Sequence, residues 1–263
     1  MHGTQKGKKR MELSLNSVSK QYKDKLAVNA LSLTMHNGIY GLLGPNGSGK
    51  TTLMRMICTV LRPSGGSISL DGEDIIGLGE SYRDVLGYLP QDFGYYPNFT
   101  GRDFLMYFAA LKGLTKYQAE EKCGELLELT GLSDVAGKKL KTYSGGMRQR
   151  AAFARTLLTG SELLLLDEPF SALDFLTRIT MQEWLLDQWE RDSKTVLFIT
   201  HDVEEAVFLS GSVLAVTETP IKRLAEIKVP AGYPRTRECL THSDMTSLRE
   251  ELIEVLRRQV KVE

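Results

Sequence analysis

Nine consecutive residues have the types and spacing of a loop that binds phosphate groups. Two glycines five positions apart are followed by lysine and threonine, and a short apolar run at 39–43 precedes them. Glycines let the backbone curl so that consecutive amide N–H groups face anionic oxygens, and the positive end of a following helix strengthens this attraction. The segment therefore predicts a strand, a tight turn and a helix that together bind a triphosphate. It comprises Gly44, Pro45, Asn46, Gly47, Ser48, Gly49, Lys50, Thr51 and Thr52.

Two side chains of this loop predict how it treats a nucleotide. Lys50 would reach the β and γ phosphates, and the Thr51 hydroxyl would hold Mg²⁺. The pattern also arises by chance, and the alternative is a glycine-rich turn between a strand and a helix.

A pair of acidic residues follows the most apolar run of the chain. Four leucines at 163–166 predict a strand that is buried on both faces, and Asp167 and Glu168 come at its carboxyl end. Open α/β sheets bind their ligands at that edge. We expect Asp167 to order Mg²⁺ and its water shell, and Glu168 to polarise the water that attacks the γ phosphate. The alternative is two solvated acids at a strand end.

One histidine occupies the same position relative to another strand. Residues 195–200 predict a central strand, and His201 follows it directly. A lone histidine is usually structural, but this position matches that of the acidic pair and favours contact with a γ phosphate.

Two further features have open interpretations. Ser144, Gly145 and Gly146 precede a good helix-forming stretch at 147–159, so this turn is a second place for an anion or simply a capped helix start. Tyr22 is predicted to lie on a polar loop. It could be a core anchor or an exposed platform for a flat ring, and residue chemistry slightly favours the core anchor.

The elements that position these residues follow an α/β pattern with one interruption. Residues 11–43 alternate as antiparallel strands, and 52–61 continue the phosphate loop as a helix. Capping boxes at Thr100 and Thr115 predict two helices within a purely helical block at 98–142. We interpret this block as an inserted helical subdomain.

Composition limits the class of partner. The 263 residues carry 33 basic and 33 acidic side chains, so no overall field attracts nucleic acid or an anionic membrane. No apolar run approaches the length that spans a bilayer. Three scattered cysteines fit a reducing compartment. Residues 1–10 predict a flexible basic tail, and 221–263 an extension ending in an amphipathic helix.

The order of these motifs resembles the nucleotide-binding subunits of ATP-binding-cassette (ABC) transporters, from about residue 11 to 220. The resemblance implies an α/β fold of the P-loop NTPase type, with a mixed central sheet, an antiparallel β subdomain and a helical subdomain inserted at about 92–142. It also implies an ATPase that uses ATP and Mg²⁺.

Particular roles come with this resemblance. Tyr22 is similar to the aromatic residue that stacks on adenine, Gln91 to a glutamine that touches Mg²⁺ and the attacking water, Glu168 to the catalytic base and His201 to the γ-phosphate switch. The turn at Ser144, Gly145, Gly146 and Met147 resembles the signature that binds the ATP of the opposite subunit, although Tyr143 and Met147 replace the usual Leu and Gln. Asp174 resembles the loop that crosses the dimer interface.

Partners are implied in the same way. ATP would join two nucleotide-binding subunits, expected to be a homodimer, and hydrolysis would release them. Transmembrane permease subunits would hold the dimer at the cytoplasmic face of the cell membrane, with a substrate-binding protein if the system imports; no nucleic acid is expected.

The direction of transport remains open because two halves of the chain resemble different branches. Residues 41–46 and 86–94 resemble the drug-export and antibiotic-resistance branch. Residues 169–186 and 201–206 resemble importers of nitrate, sulfonate, taurine and thiamine precursors. We expect import of a small anionic or heterocyclic solute, with drug export as the alternative. A soluble ABC ATPase outside transport is a more distant alternative. A chromosome-maintenance or repair ATPase of that kind would need a long coiled coil before the signature, and only about fifty residues separate Gln91 from Ser144.

Overall fold

The computed structural model describes residues 11–158, 160–192 and 194–258 and contains two β-sheets. The first sheet is antiparallel, in the order β2-β1-β4-β5, as the alternation at 11–43 predicts for its first two strands. Leu13 and Leu15 of β1 point into the core while the residues between and around them are more exposed. The strands are β1 (Glu12–Tyr22), β2 (Lys25–His36), β4 (Gly65–Leu70) and β5 (Glu73–Asp74).

The second sheet has six strands in the order β10-β9-β3-β8-β7-β6, and all neighbours are parallel except β10, which pairs antiparallel with β9. In register, Leu43 pairs with Thr200, and Asp167 pairs with Ile199. The carboxyl ends of β3, β8 and β7 therefore lie side by side, and the loops that follow them share one edge. The strands are β3 (Gly38–Leu43), β6 (Leu86–Leu89), β7 (Leu163–Asp167), β8 (Thr195–Thr200), β9 (Ser212–Val216) and β10 (Leu224–Lys228).

The helical block contains both predicted helices, α4 (Gly101–Leu111) and α5 (Lys116–Leu129). Both capping boxes are present, with Thr100 bonded reciprocally to Asp103 and Thr115 to Gln118. Two short 3₁₀ turns follow at Ser133–Val135 and Leu140–Thr142. The block packs on α6 (Gly145–Thr156) through its own apolar core.

Several helix boundaries differ from the sequence prediction. The helix after the phosphate loop, α1 (Lys50–Ile57), ends four residues before Leu61 because Thr59 adopts a left-handed backbone conformation, φ 58°. Val60, which falls within the predicted helix, lies beyond its end and is 65% exposed. The expected end of α6 at Thr159 lies outside the described residues.

Four further helices lie in the segments that connect the strands. Helices α2 (Ile75–Leu78) and α3 (Glu80–Val85) precede β6, α7 (Phe175–Asp192) connects β7 to β8, and α8 (Val203–Leu209) follows β8. The sequence reasoning missed α2, α3 and α7.

The chain after residue 220 returns to the central sheet as β10 and then packs helix α9 (Ser243–Arg257) against α8. Leu248 and Leu252 of α9 are buried, as the amphipathic pattern predicts. Glu254 and Arg258, one helical turn apart, form an ion pair at 3.5 Å. In the ranges that the structure covers, no helix combines the length and apolarity needed to cross a bilayer. The predicted basic tail at 1–10 lies outside the described residues.

Candidate nucleotide site

The phosphate loop joins β3 to α1 and depends on glycine at two close approaches. Gly49 caps α1 in the left-handed region, φ 108°, and a Cβ there would lie 2.7 Å from the Ala27 carbonyl oxygen. A Cβ on Gly44 would lie 2.9 Å from the Cβ of Val216. A side chain at either position would push the loop off its neighbouring strands.

Lys50 lies inside the curl of its own loop and is only 5% exposed. Its Nζ donates to the carbonyl oxygens of Gly44 at 2.7 Å and Pro45 at 2.8 Å. Burial lowers the pKa of Lys50, while the nearby charges of Glu168 and Asp167 oppose that shift. The ammonium group is thus held ready by neutral acceptors that phosphate oxygens can replace.

Asp167 is the best candidate for a metal ligand. Its side chain is buried, and Oδ1 has no hydrogen-bond partner. Burial raises its pKa to about 6, the Glu168 charge adds to this, and a hydrogen bond with Thr51 opposes it. An orphaned carboxylate oxygen beside a threonine hydroxyl fits Mg²⁺, which prefers oxygen ligands and keeps several waters. The described residues hold no group of three or more His, Cys, Asp or Glu that could hold a metal ion.

Glu168 is held by two of the other predicted site residues. Its Oε2 accepts a hydrogen bond from Gln91 Nε2 at 3.2 Å, and its Oε1 lies 3.4 Å from His201 Nδ1. The backbone N–H donates to the Ile199 carbonyl, and φ is 51°, a left-handed value that costs a non-glycine residue about 1–3 kcal/mol. The structure therefore brings together all three residues predicted to be catalytic, at the shared edge of β7 and β8.

A cavity of about 480 Å³ is lined by Gln91, Glu168 and His201. Its volume suits a small-molecule ligand. Gly44, Pro45 and Ser48 of the phosphate loop do not line the cavity. The Gly44 carbonyl oxygen accepts the hydrogen bond from Lys50 Nζ. The lining includes Tyr22, Asn46, Gly47, Gly49, Lys50, Thr51, Thr52, Gln91, Glu168 and His201.

Tyr22 lies at the mouth of this cavity, on the last residue of β1 and not on a loop. Its hydroxyl is 3.5 Å from Thr52 Oγ1, and the side chain is 42% exposed. The core interpretation of Tyr22 is therefore wrong. Lys25, its partner across the hairpin, also lines the cavity and was missed, although hairpin register could have indicated it.

The Ser-Gly-Gly turn lies outside the cavity. Ser144 caps α6, with its Oγ accepting from the Met147 N–H at 3.2 Å, and no residue of the turn lines the pocket. Helix α6 contacts the loop after Glu168 through a hydrogen bond from Gln149 Nε2 to the Pro169 carbonyl. Asp174, further along that loop, accepts a hydrogen bond from the Thr177 N–H, and bonds to Thr177 lower its pKa.

A phosphate loop, a buried acid at a parallel strand end and a helical block before a Ser-Gly-Gly turn define an ATP-binding cassette. The chain belongs to the ABC transporter family, whose model matches residues 28–171. A putative ATP-binding protein of Brucella abortus is 37% identical over 239 residues, 90% of each chain. The bicarbonate transport ATP-binding protein CmpC of Synechococcus elongatus is 37% identical over 242 residues, which cover 90% of this chain and 36% of that protein.

A solved structure agrees with these relatives. The dimeric, post-hydrolysis state of the ATP-binding cassette MJ0796 bound to ADP and Pi matches with a TM-score of 0.76 and 26% identity, over 84% of this chain and 100% of that one. The predicted α/β fold of the ABC type is confirmed. The protein is the ATP-binding subunit of an ABC transporter and an ATPase.

Proposed function

We propose that the chain energises import of a small anionic or heterocyclic solute, from the cytoplasmic face of the membrane. The observation that carries the class of solute is its 37% identity to CmpC, which is named for transport of bicarbonate, a small anion. The importer-like character of residues 169–186 and 201–206 supports import as the direction.

For hydrolysis, we propose that Glu168 accepts a proton from the attacking water, while Gln91 and His201 hold the Glu168 carboxylate in position. The contacts of 3.2 Å and 3.4 Å to those two side chains support this role, because a base must be held in place to act on a bound water. Lys50 exchanges its loop carbonyls for phosphate oxygens, the loop N–H groups bind the remaining oxygens, and Tyr22 stacks on adenine.

Mg²⁺ fits beside the loop. When bound, it would neutralise charge that develops on the phosphates. Thr51, Asp167 and Gln91 are the residues proposed to hold it, and the partnerless Oδ1 of Asp167 supports that choice.

We also propose that each complete site needs two chains. The turn from Ser144 to Met147 would bind the ATP held by the loop of a second copy, with Asp174 at the interface between them. The position of this turn outside the cavity and the dimeric state of the MJ0796 cassette support this arrangement. Permease subunits, and a substrate-binding protein for import, would complete the transporter.

Transport direction is tested in cells that lack this chain. Uptake of labelled bicarbonate, nitrate and sulfonates is compared among the deletion strain and strains complemented with wild type or with Glu168→Gln. Import predicts that uptake of one solute is lost in the deletion, restored by wild type and not restored by the variant.

Drug export is the second candidate, favoured by residues 86–94. It predicts unchanged uptake together with drug sensitivity in the deletion strain, and that result would overturn the import proposal.

A further inference from the structure

A buried carboxylate outside the nucleotide cavity, that of Glu205, lies in the first turn of α8 and is 9% exposed. Each of its oxygens accepts one hydrogen bond. Thr200 Oγ1 donates to Oε2 at 2.5 Å, and Gln182 Nε2 donates to Oε1 at 3.2 Å. None of these three residues was among the predicted site residues.

These bonds bracket His201 on both sides. Thr200, whose hydroxyl bonds to Glu205, immediately precedes the histidine, and the same hydroxyl accepts from the backbone N–H of Asp202 at 3.0 Å. The Asp202 carboxylate in turn accepts from the backbone N–H of Glu205 at 3.2 Å. The backbone that carries His201 is therefore tied to Glu205 before and after the histidine.

The network continues from Gln182 to the segment between β10 and α9. Arg237 Nη2 donates to Gln182 Oε1, which turns the amide so that its N–H faces Glu205. Arg237 Nε also lies 3.5 Å from a Glu183 carboxylate oxygen, and the guanidinium stacks over the Phe208 ring at 4.7 Å. The C-terminal segment thereby contacts both α7 and α8.

A cavity of about 70 Å³ connects this network with the proposed base. Thr200, His201, Glu205 and Glu168 all line it, together with Arg178 of α7. Both oxygens of Glu205 accept hydrogen bonds, which favours the carboxylate form, whereas burial of the group opposes it.

Burial, together with neighbouring hydrogen bonds and charges, sets the ionisation of Glu205. Burial raises its pKa to about 7, and the Asp202 charge adds to that effect. Hydrogen bonds from Thr200 and Gln182 and the Arg178 charge oppose it. Across the network lie Glu183 and Arg237, and across the small cavity lie Glu168 and His201.

We propose that Glu205 is a positioning residue for ATP hydrolysis, which links the C-terminal segment, through Arg237 and Gln182, to the end of β8 that carries His201. It touches neither nucleotide nor water in this scheme. The inference rests on the proposed role of His201 and is independent of the direction of transport.

The first test removes the outer end of the network. Arg237→Ala is expected to lower kcat of the full-length chain by about 10-fold with the KM for ATP unchanged, since a displaced catalytic group slows chemistry without weakening binding. Arg237→Lys, which keeps a donor for Gln182, is expected to restore most of the rate. The matched control is Arg249→Ala, because Arg249 also pairs with α8, at Glu204, but on the exposed side.

The second test removes the ionisation of Glu205. Wild-type kcat is expected to fall as the pH drops through about 7, and Glu205→Gln is expected to lack that limb of the pH profile. His201, Glu168, Asp167 and Asp202 are unchanged in both proteins, so the difference between the two profiles isolates Glu205. Thr200→Val, of similar volume without the hydroxyl, is the second variant if Glu205→Gln does not fold, and it should also lower kcat at unchanged KM.

Equal kcat for Arg237→Ala and Arg249→Ala, or parallel pH profiles for wild type and Glu205→Gln, would overturn this inference. Those results leave the proposed role of His201 intact provided that His201→Ala still abolishes hydrolysis. An active His201→Ala would instead remove the role on which the inference rests.

Discussion

Lys50 shows how a single charged residue is kept ready for a ligand. Its two carbonyl partners supply hydrogen bonds but no opposite charge, so the ammonium gains more from phosphate oxygens than it loses by leaving Gly44 and Pro45. The lowered pKa of Lys50 expresses the same cost of burial. A triphosphate would relieve this cost because it brings negative charge to the buried cation.

Lys50→Ala is therefore expected to weaken binding of MgATP by about 2 kcal/mol, roughly 30-fold, which is typical of a lost hydrogen bond to a charged group. Isothermal titration calorimetry measures this directly. Lys116→Ala, on the exposed face of α5, is the control and should leave the affinity unchanged. Equal affinities for the two variants would remove Lys50 from the nucleotide site.

Among the elements, strands were the most predictable because their signal is local. The apolar runs at 39–43, 163–166 and 195–200 each form a strand of the parallel sheet, and the polar residues after them meet at one edge. The helical block was equally visible because its capping boxes lie within four residues of sequence.

Contacts between distant segments could not be predicted in this way. Arg237 lies 55 residues from Gln182, and Ile221 pairs with Val28 as an isolated bridge. No periodicity within either segment records such a pairing. Tyr22 was misplaced for a related reason, because only its tertiary neighbours make the end of β1 the mouth of the cavity.

The two ends of helix α8 affect the stability of the fold differently. Arg235 donates to the carbonyls of Val207, Phe208 and Ser210 at its carboxyl end, which stabilises the helix. Glu205 at its other end is ionised only against the cost of burial. A carboxyl group whose pKa is about 7 in the folded chain and 4.5 ordinarily binds an extra proton in the folded state between those values. Its contribution to stability is therefore lost as the pH rises from 4.5 to 7.

Glu205→Gln cannot ionise, so its stability relative to wild type should be greater at pH 8 than at pH 5. The expected change in this difference is roughly 2–3 kcal/mol. Urea unfolding at the two pH values measures this difference in the free energy of unfolding. The titration of Asp167 does not affect the difference, because Asp167 is present in both proteins. A difference independent of pH would contradict ionisation of Glu205 in this range. Under our proposal, the same substitution that removes this pH dependence of stability also slows hydrolysis.

At the scale of the whole molecule, the groups that we propose to act on ATP lie at two separate places in the chain. Lys50, Glu168 and His201 share the cavity, while Gly145 lies at the start of α6 outside its lining. A Cβ on Gly145 would meet nothing within 4 Å, so this surface is open in the single chain. A second copy placed as in a cassette dimer would cover it with bound ATP.

Glu168→Gln is expected to bind ATP without hydrolysing it and to accumulate as a dimer. In sedimentation velocity experiments, this variant should be a monomer without nucleotide and shift to a dimer with MgATP. Adding Gly145→Asp should abolish the shift, because the new carboxylate would face the phosphates bound by the other chain, where like charges repel. Gly137→Asp is the matched control, since Gly137 is equally open and is not part of the turn. If Glu168→Gln with Gly145→Asp still dimerised as well as Glu168→Gln alone, the Ser-Gly-Gly turn would not face ATP across the dimer.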